Sequence, residues 1–329
     1  MDIDKTLTRV EELWFFDGGL VVQAEQSLYR VSGGILAARS PVFKDMLSFT
    51  QPSDSETIDG CPVVKLHDSA ADVTCFFRAI FDSSFFEPHP SLVLLDHVIS
   101  VLHLSNKYSV EYLLRRGLKH LSSRYTTTLS QFDLSGEETS IIVEPSTGYS
   151  HIDFIQHIAV IQLAREVNAL WVVPTAFYRL SSTREDFIDK FLQPQTYHER
   201  PATLSEQDRS LFLKFSLYLS HEAHSLSRFL YMPETVPGCE TGQDCRLMRL
   251  SFLATLHEAL ALIPGPRLLG LILEDNVDDY LTDCCHVCQY ASREAIKDTR
   301  QNIWNKLPGF CGLPSWEALQ EMKDKALEE

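Results

Sequence analysis

The chain has 329 residues, 44% of them hydrophobic, with 14 glycines and 15 prolines. That is enough for one large or two ordinary domains and too apolar for a disordered chain. Acidic side chains outnumber basic ones 45 to 29, for a formal charge of −16, and no Lys/Arg run offsets it. This balance argues against nucleic acid and against an anionic membrane surface as partners. Met1-Asp2-Ile3-Asp4-Lys5 lacks the basic patch and apolar stretch of a signal peptide, and no apolar run is long enough to span a bilayer. The expectation is an intracellular protein, cytoplasmic or nuclear, whose eight cysteines are reduced thiols or metal ligands rather than disulfides.

The first half alternates short strands with helices. Met1 to Phe16 leave room for one short helix with Leu7, Val10 and Trp14 on a face. Leu20 to Ala24 and Leu28 to Val31, separated by Glu25-Gln26-Ser27, predict a β-hairpin. Gly33-Gly34 breaks it, and Ile35 to Ala38 begins a short helix. Ser40-Pro41 then supplies an N-cap and a first-turn proline for a second. Pro62 to Leu66 predicts another strand. Val73, Phe76, Phe77, Ile80 and Phe81 mark a helix started by a Ser69/Asp72 capping box. Pro88 and Pro90 open a loop, a helix follows over Leu92 to Leu104, and Ser109 is the expected cap of a helix carrying Val110, Leu113, Leu114, Leu118 and Leu121.

Residues 126–150, with Thr126-Thr127-Thr128 and Pro145-Ser146-Thr147-Gly148, form a polar linker or insertion. Beyond it the pattern is helical. Ile152, Ile155, Ala159 and Leu163 make one stripe, Pro174 begins a helix, and Ser205 with Asp208 caps one carrying Leu211, Phe212, Phe215 and Leu219. Leu247 to Ile263 is apolar nearly all round and predicts a buried helix. Two last helices are expected over Ser292 to Leu307 and Trp316 to Leu327. The expected fold class is α+β: a first domain over 1–125, the linker over 126–150, and a mostly α-helical C-terminal region over 151–329.

The stretch from Asp17-Gly18-Gly19-Leu20-Val21-Val22, through Leu28-Tyr29-Arg30-Val31, to Ile35-Leu36-Ala37-Ala38-Arg39-Ser40-Pro41-Val42-Phe43 resembles the BTB/POZ signature, which runs from a strand hairpin into L-A-x-x-S-x-x-F. Ser105-Asn106-Lys107-Tyr108 corresponds to that family's A-x-K-Y. The chain departs from the family's F-x-V-H-R, reading Tyr29-Arg30-Val31-Ser32-Gly33, without the His. Asp82-Ser83-Ser84-Phe85-Phe86, Leu121-Ser122-Ser123, Trp304-Asn305-Lys306-Leu307-Pro308 and Leu313-Pro314-Ser315-Trp316 are similar to phrases shared by fungal BTB-domain proteins. The resemblance implies protein–protein interaction: a weak homodimer or a monomer, and protein partners that include a cullin-type ubiquitin ligase. The alternative is a transcription-related scaffold that binds a corepressor-like partner.

Catalytic patterns are absent from the sequence. It contains no phosphate-cradling loop, dinucleotide fingerprint, nucleophile elbow or zincin helix, so no catalytic or cofactor-binding residue is expected and a non-enzyme is. His221-Glu222-Ala223-His224 lacks metalloprotease spacing and reads as a polar helix face. Cysteines are the sharpest feature. Cys285-His286-Val287-Cys288 is a C-x-x-C turn suited to two thiolates on one tetrahedral zinc, and Cys239 and Cys245 supply a looser second pair. Cys239, Cys245, Cys285 and Cys288 are therefore the candidate structural-zinc ligands, with Cys284 as substitute. The alternative is that these are buried free thiols. No thioredoxin-like βαβ pattern surrounds the C-x-x-C to make it a redox motif.

Overall fold

A computed structural model describes residues 7–49, 56–134, 139–143, 151–181, 193–231, 236–262, 269 and 281–328. The chain is mixed α and β with a helical C-terminal region. Its contacts group it into two compact units: Met1–Arg124 with Glu137–Glu144 and Ala326–Glu329, and Tyr125–Gly136 with Pro145–Lys325.

The first unit is built on five strands: β1 (Thr8–Trp14), β2 (Leu20–Ala24), β3 (Ser27–Val31), β4 (Thr57–Ile58) and β5 (Cys61–Leu66), in the order β1-β3-β2-β5-β4. The β2–β3 and β4–β5 pairs are antiparallel; β1–β3 and β2–β5 are parallel. The predicted hairpin is present, with Glu25 at φ 50 in the left-handed region that two-residue hairpin turns use to match the twist of the strands. The segment expected to form an N-terminal helix is instead β1. It lies at the sheet edge beside β3, where Thr8 N–H donates to Gln26 O at 2.8 Å and Leu13 turns inward. Pairing with β3 satisfies backbone groups that an isolated one-turn helix leaves open.

Helices cover this sheet. α1 (Gly33–Arg39) is capped by Ser32, and α2 (Pro41–Ser48) by Ser40, whose Oγ accepts from Phe43 N–H at 3.0 Å. α3 (Ala70–Phe81) opens on the predicted Ser69/Asp72 capping box. Tyr29, Phe43, Phe76 and Phe77 are fully buried between sheet and helices. Phe43 stacks on Tyr108 at 4.6 Å between ring centroids, and Tyr29 meets Phe77 edge-on at 5.4 Å. Each such ring contributes about 1.5–3 kcal/mol by burial.

α4 (Leu95–Lys107) and α5 (Glu111–Arg124) form a hairpin. The first starts later than the sequence suggests because Val93–Leu94 is strand β6. Ser109 is not the cap of α5: it sits at φ 53, and Val110 O accepts from Leu113 and Leu114 N–H to begin the helix. The 126–150 stretch, read as a polar linker or insertion, holds two elements: helix α6 (Leu129–Leu134) in the second unit, and strand β7 (Ile141–Ile142), parallel to β6, in the first. Residues 135–138 and 144–150 lie outside the described residues.

The second unit is helical. α7 (His151–Glu166) is buried on every side from Phe154 to Ile161. A 3-10 turn (Leu170–Val172) leads into α8 (Val173–Ser181). A small hairpin of β8 (Gln195–Tyr197) and β9 (Arg200–Ala202) precedes α9 (Glu206–Tyr231), α10 (Gln243–Leu262), α11 (His286–Phe310) and α12 (Trp316–Leu327). α10 corrects an expectation. Among its described side chains Cys245, Arg249 and Phe252 face inward, whereas Leu247 is 61% exposed and Leu250 is exposed too. Over 243–255 its apolar residues surround the helix but neighbours cover one stripe; Ile263, the end of the expected helix, lies outside the described residues. α11 begins at His286, a full turn and a half before the expected Ser292, because Cys285 acts as its N-cap position. Trp304 of α11 stacks on Trp316 of α12 at 4.9 Å, and each indole N–H is satisfied, by Thr127 O and Trp304 O.

Candidate metal centre

Local chain chemistry brings the cysteines together. Cys239 closes the turn Val236-Pro237-Gly238-Cys239, its N–H donating to Val236 O at 2.9 Å. Proline in the second position and glycine at φ 83 in the third are what a type II turn needs. The chain turns again at Gly242, φ 53, and enters α10, so Cys245 falls in that helix's first turn. On the other side, Cys284 N–H donates to Leu281 O at 2.9 Å in a turn that delivers Cys285 to the N-cap of α11 and Cys288 to its first turn. Three of the four sulfurs thus sit at helix N-termini, where the positive end of the helix dipole favours thiolate over thiol.

The four ligand atoms of Cys239, Cys245, Cys285 and Cys288 all lie within 4.8 Å of one another. The Sγ atoms of Cys285 and Cys239 are 3.9 Å apart. Tetrahedral zinc–thiolate bonds of about 2.3 Å set sulfurs about 3.8 Å from each other, so this edge already matches a tetrathiolate zinc site. Backbone amides point at the sulfurs: Gly242 N–H donates to Cys239 Sγ and Cys285 N–H to Cys245 Sγ, both at 3.2 Å. Thr241 Oγ1 lies 2.8 Å from Cys245 Sγ. Such N–H···S bonds stabilise negative sulfur, the form that binds metal.

The ionisation of these thiols is uneven. Backbone amides, that of Glu240 first and then that of Cys288, hold the Cys285 thiol down at about 6. Burial, reinforced by the neighbouring sulfurs, pushes Cys288 well above the usual thiol range and Cys284 up to about 12. Arg249, only 4% exposed, lies close enough to act on Cys284 in the opposite sense. A guanidinium there also offsets the negative charge that four thiolates around a dication would carry.

All four cysteines named from the sequence are brought together, and they could hold a metal such as zinc. Cys284, the named substitute, is not in the group. Its sulfur donates to Cys245 O at 3.7 Å and is buried. Cys311 is buried elsewhere, and Cys61 and Cys75 belong to the first unit. His221 is exposed, and the side chain of His224 lies outside the described residues. Sequence reasoning missed the amides of Gly242 and Cys285, Thr241 and Arg249. Pro237-Gly238 was the available signal for the first turn.

A separate groove of about 420 Å³, its lining of mixed polarity, lies beside the Trp304–Trp316 stack. Its buried cation, Arg300, pairs with Asp133 at 2.5 Å and donates to Leu269 O, so its charge is met within the unit.

No protein-family model matches this chain, and no curated protein matches it in sequence.

Proposed function

We propose that this chain is a non-enzymatic protein-interaction module of the BTB/POZ type, acting by self-association or by presenting a partner. One observation carries the reading. The two motifs that resemble the family, 68 residues apart, meet in one unit: Ser40 Oγ donates to Tyr108 O at 2.5 Å, and Phe43 stacks on Tyr108. Asp68 ties down the same corner, accepting from Lys107 Nζ and Tyr108 Oη at 2.5 Å each. The serine, phenylalanine, lysine and tyrosine of both motifs are thereby used to hold a scaffold. The test is titration of the purified chain with a purified cullin N-terminal domain by calorimetry, alongside light scattering across a dilution series. Stoichiometric cullin binding supports the ligase-adaptor form of the reading. A corepressor-like partner with no cullin binding supports the scaffold form. A chain that neither self-associates nor binds any protein stoichiometrically overturns both.

We infer also that the four-cysteine centre is a structural zinc site. Four thiolates fill a tetrahedron and leave no open coordination position, so the metal holds α10 and α11 at their N-terminal ends and does no chemistry. The 3.9 Å sulfur–sulfur edge and the amide donors support zinc over free thiols. Elemental analysis of chelator-free protein tests it: about one equivalent of zinc is expected of a closed site. Less than about a tenth of an equivalent leaves the buried-thiol alternative standing.

A further inference from the structure

The four sulfurs of the metal centre are not equivalent. Cys245 and Cys288 are each 1% exposed and sit within the first turns of α10 and α11. Cys239 and Cys285 are half-buried, and neither lies inside a helix: one closes a turn and the other occupies an N-cap. The two less buried cysteines also have their sulfurs 3.9 Å apart, and they come from chain segments 46 residues distant. A disulfide needs its sulfurs at about 2.05 Å, so closure asks for roughly 2 Å of movement, which a turn supplies more readily than a helix interior.

We propose that Cys239 and Cys285 form an oxidant-sensitive pair whose two-electron oxidation by a peroxide joins α10's leading turn to the start of α11 and expels the metal. This rests on the reading of the centre as a zinc site. Cys285 thiolate attacks one peroxide oxygen; an S–O bond forms, the O–O bond breaks, and hydroxide leaves. Cys239 thiolate then attacks the sulfenic sulfur; the S–S bond forms, the S–O bond breaks, and a second hydroxide leaves. Two thiolates lose two electrons, the peroxide gains them, and both hydroxides take protons to become water. Cys245 and Cys288 remain as a two-sulfur set and take up protons as the zinc departs. Cys284, buried and directed at a backbone carbonyl, takes no part.

The experiment uses the full chain purified without chelator, with its zinc content measured before any oxidant is added. Hydrogen peroxide is then titrated in, released zinc is followed with a chromogenic chelator, and the disulfide is located by peptide mapping. The expected result is release of about one zinc per peroxide consumed, with Cys239 joined to Cys285. Cys284→Ser should release zinc at the same rate. Zinc retained after thiol oxidation, a Cys285–Cys288 or Cys245–Cys288 bond, or loss of release in the Cys284 variant would each overturn the pairing. Protein that carries no zinc before oxidation overturns the zinc reading instead, and mapping of that same protein still decides whether Cys239 and Cys285 are the partners.

Discussion

Cys239 and Cys285 lie 46 residues apart in the chain and 3.9 Å apart at their sulfurs. Two turns and two helix N-termini converge to achieve this. Metal affinity should follow the geometry. Cys245→Ser and Cys288→Ser remove buried ligands and should lower zinc affinity more than the roughly 10–100-fold typical of losing an outer-shell partner. Cys284→Ser should retain about one equivalent. Competition with a chelator of known affinity measures both, and equal losses in all three variants would show that the ligand set is misassigned.

Removing the metal should loosen the unit around it. Binding to the folded state alone, with free metal at about a thousand times its dissociation constant, is worth roughly 4 kcal/mol. Chelation should therefore lower the thermal midpoint and expose the α10–α11 region to hydrogen exchange, while amides of β2 and β3 in the first unit stay protected. Exchange that is unchanged near Cys245 and Cys288 after complete chelation would rule out a structural role.

The cysteine cluster was legible in the sequence because thiols are rare and a C-x-x-C turn has few uses. The amides that point at the sulfurs were not: that of Gly242 is directed by a positive-φ turn, and that of Cys285 by the turn that Leu281 O and Cys284 N–H close, so no side chain announces either. The hairpin, α3 and its capping box were legible for the same local reason: periodicity and caps act over a few residues. β1 was not. Leu7, Val10 and Trp14 fit a helical face, and what makes Thr8–Trp14 a strand is its partner β3, some twenty residues away. The exposure of α10 was hidden likewise, because an apolar helix surface does not reveal how much of it neighbours will cover.

His120 gives the first unit a pH dependence. It is fully buried, its Nε2–H donates to Glu87 O at 2.8 Å, and its Nδ1 accepts from Ser140 Oγ at 2.9 Å, which ties the segment before β7 to α5. His89 Nδ1 meets the same hydroxyl at 3.0 Å. Burial lowers the His120 pKa from its ordinary 6.5. The unfolded chain therefore binds more protons below pH about 6.5, and the stability present above that pH is lost as pH falls through the lowered folded value. His120→Gln should be less stable at pH 8 and show a shallower loss between pH 7 and 5. An imidazole resonance titrating at or above 6.5 in the native protein would contradict the argument.

Gly117 of α5 packs directly against Leu102 of α4. A Cβ built there would come within 2.7 Å of Leu102 Cγ, a branch point rather than a flexible tip. Alanine gains about 1 kcal/mol of helix propensity, but overpacking costs about 1–3 kcal/mol. Gly117→Ala should therefore be net destabilising or close to neutral, unlike the same change at Gly309, where a Cβ meets nothing within 4 Å. Urea midpoints of the two variants, measured side by side, separate packing from propensity. A clear gain in stability at Gly117 would show that the helices part at little cost.

The start of α9 offers a last test, in which a cap and an ion pair share one carboxylate. Ser205 Oγ accepts from Asp208 N–H at 3.1 Å and donates to Asp208 Oδ2 at 3.0 Å. Arg165 of α7 grips the same carboxylate with Nε at 2.9 Å from Oδ2 and Nη2 at 2.5 Å from Oδ1. Asp208 is 3% exposed overall, so its charge depends on these partners, whereas the Arg165 side chain is 31% exposed. Removing Ser205 costs a cap, about 1 kcal/mol. Removing Asp208 costs the cap's second half and leaves a half-buried cation without its bidentate partner. After allowing for the solvent around Arg165, the loss should be about 2–4 kcal/mol. Asp208→Asn should fall between them, because the amide oxygen still accepts one bond from Arg165 while the charge is gone. The order Ser205→Ala, Asp208→Asn, Asp208→Ala in denaturation midpoints is the expected outcome. Equal losses for Ser205→Ala and Asp208→Ala would show that α9 is held to α7 by apolar packing, with the ion pair adding nothing.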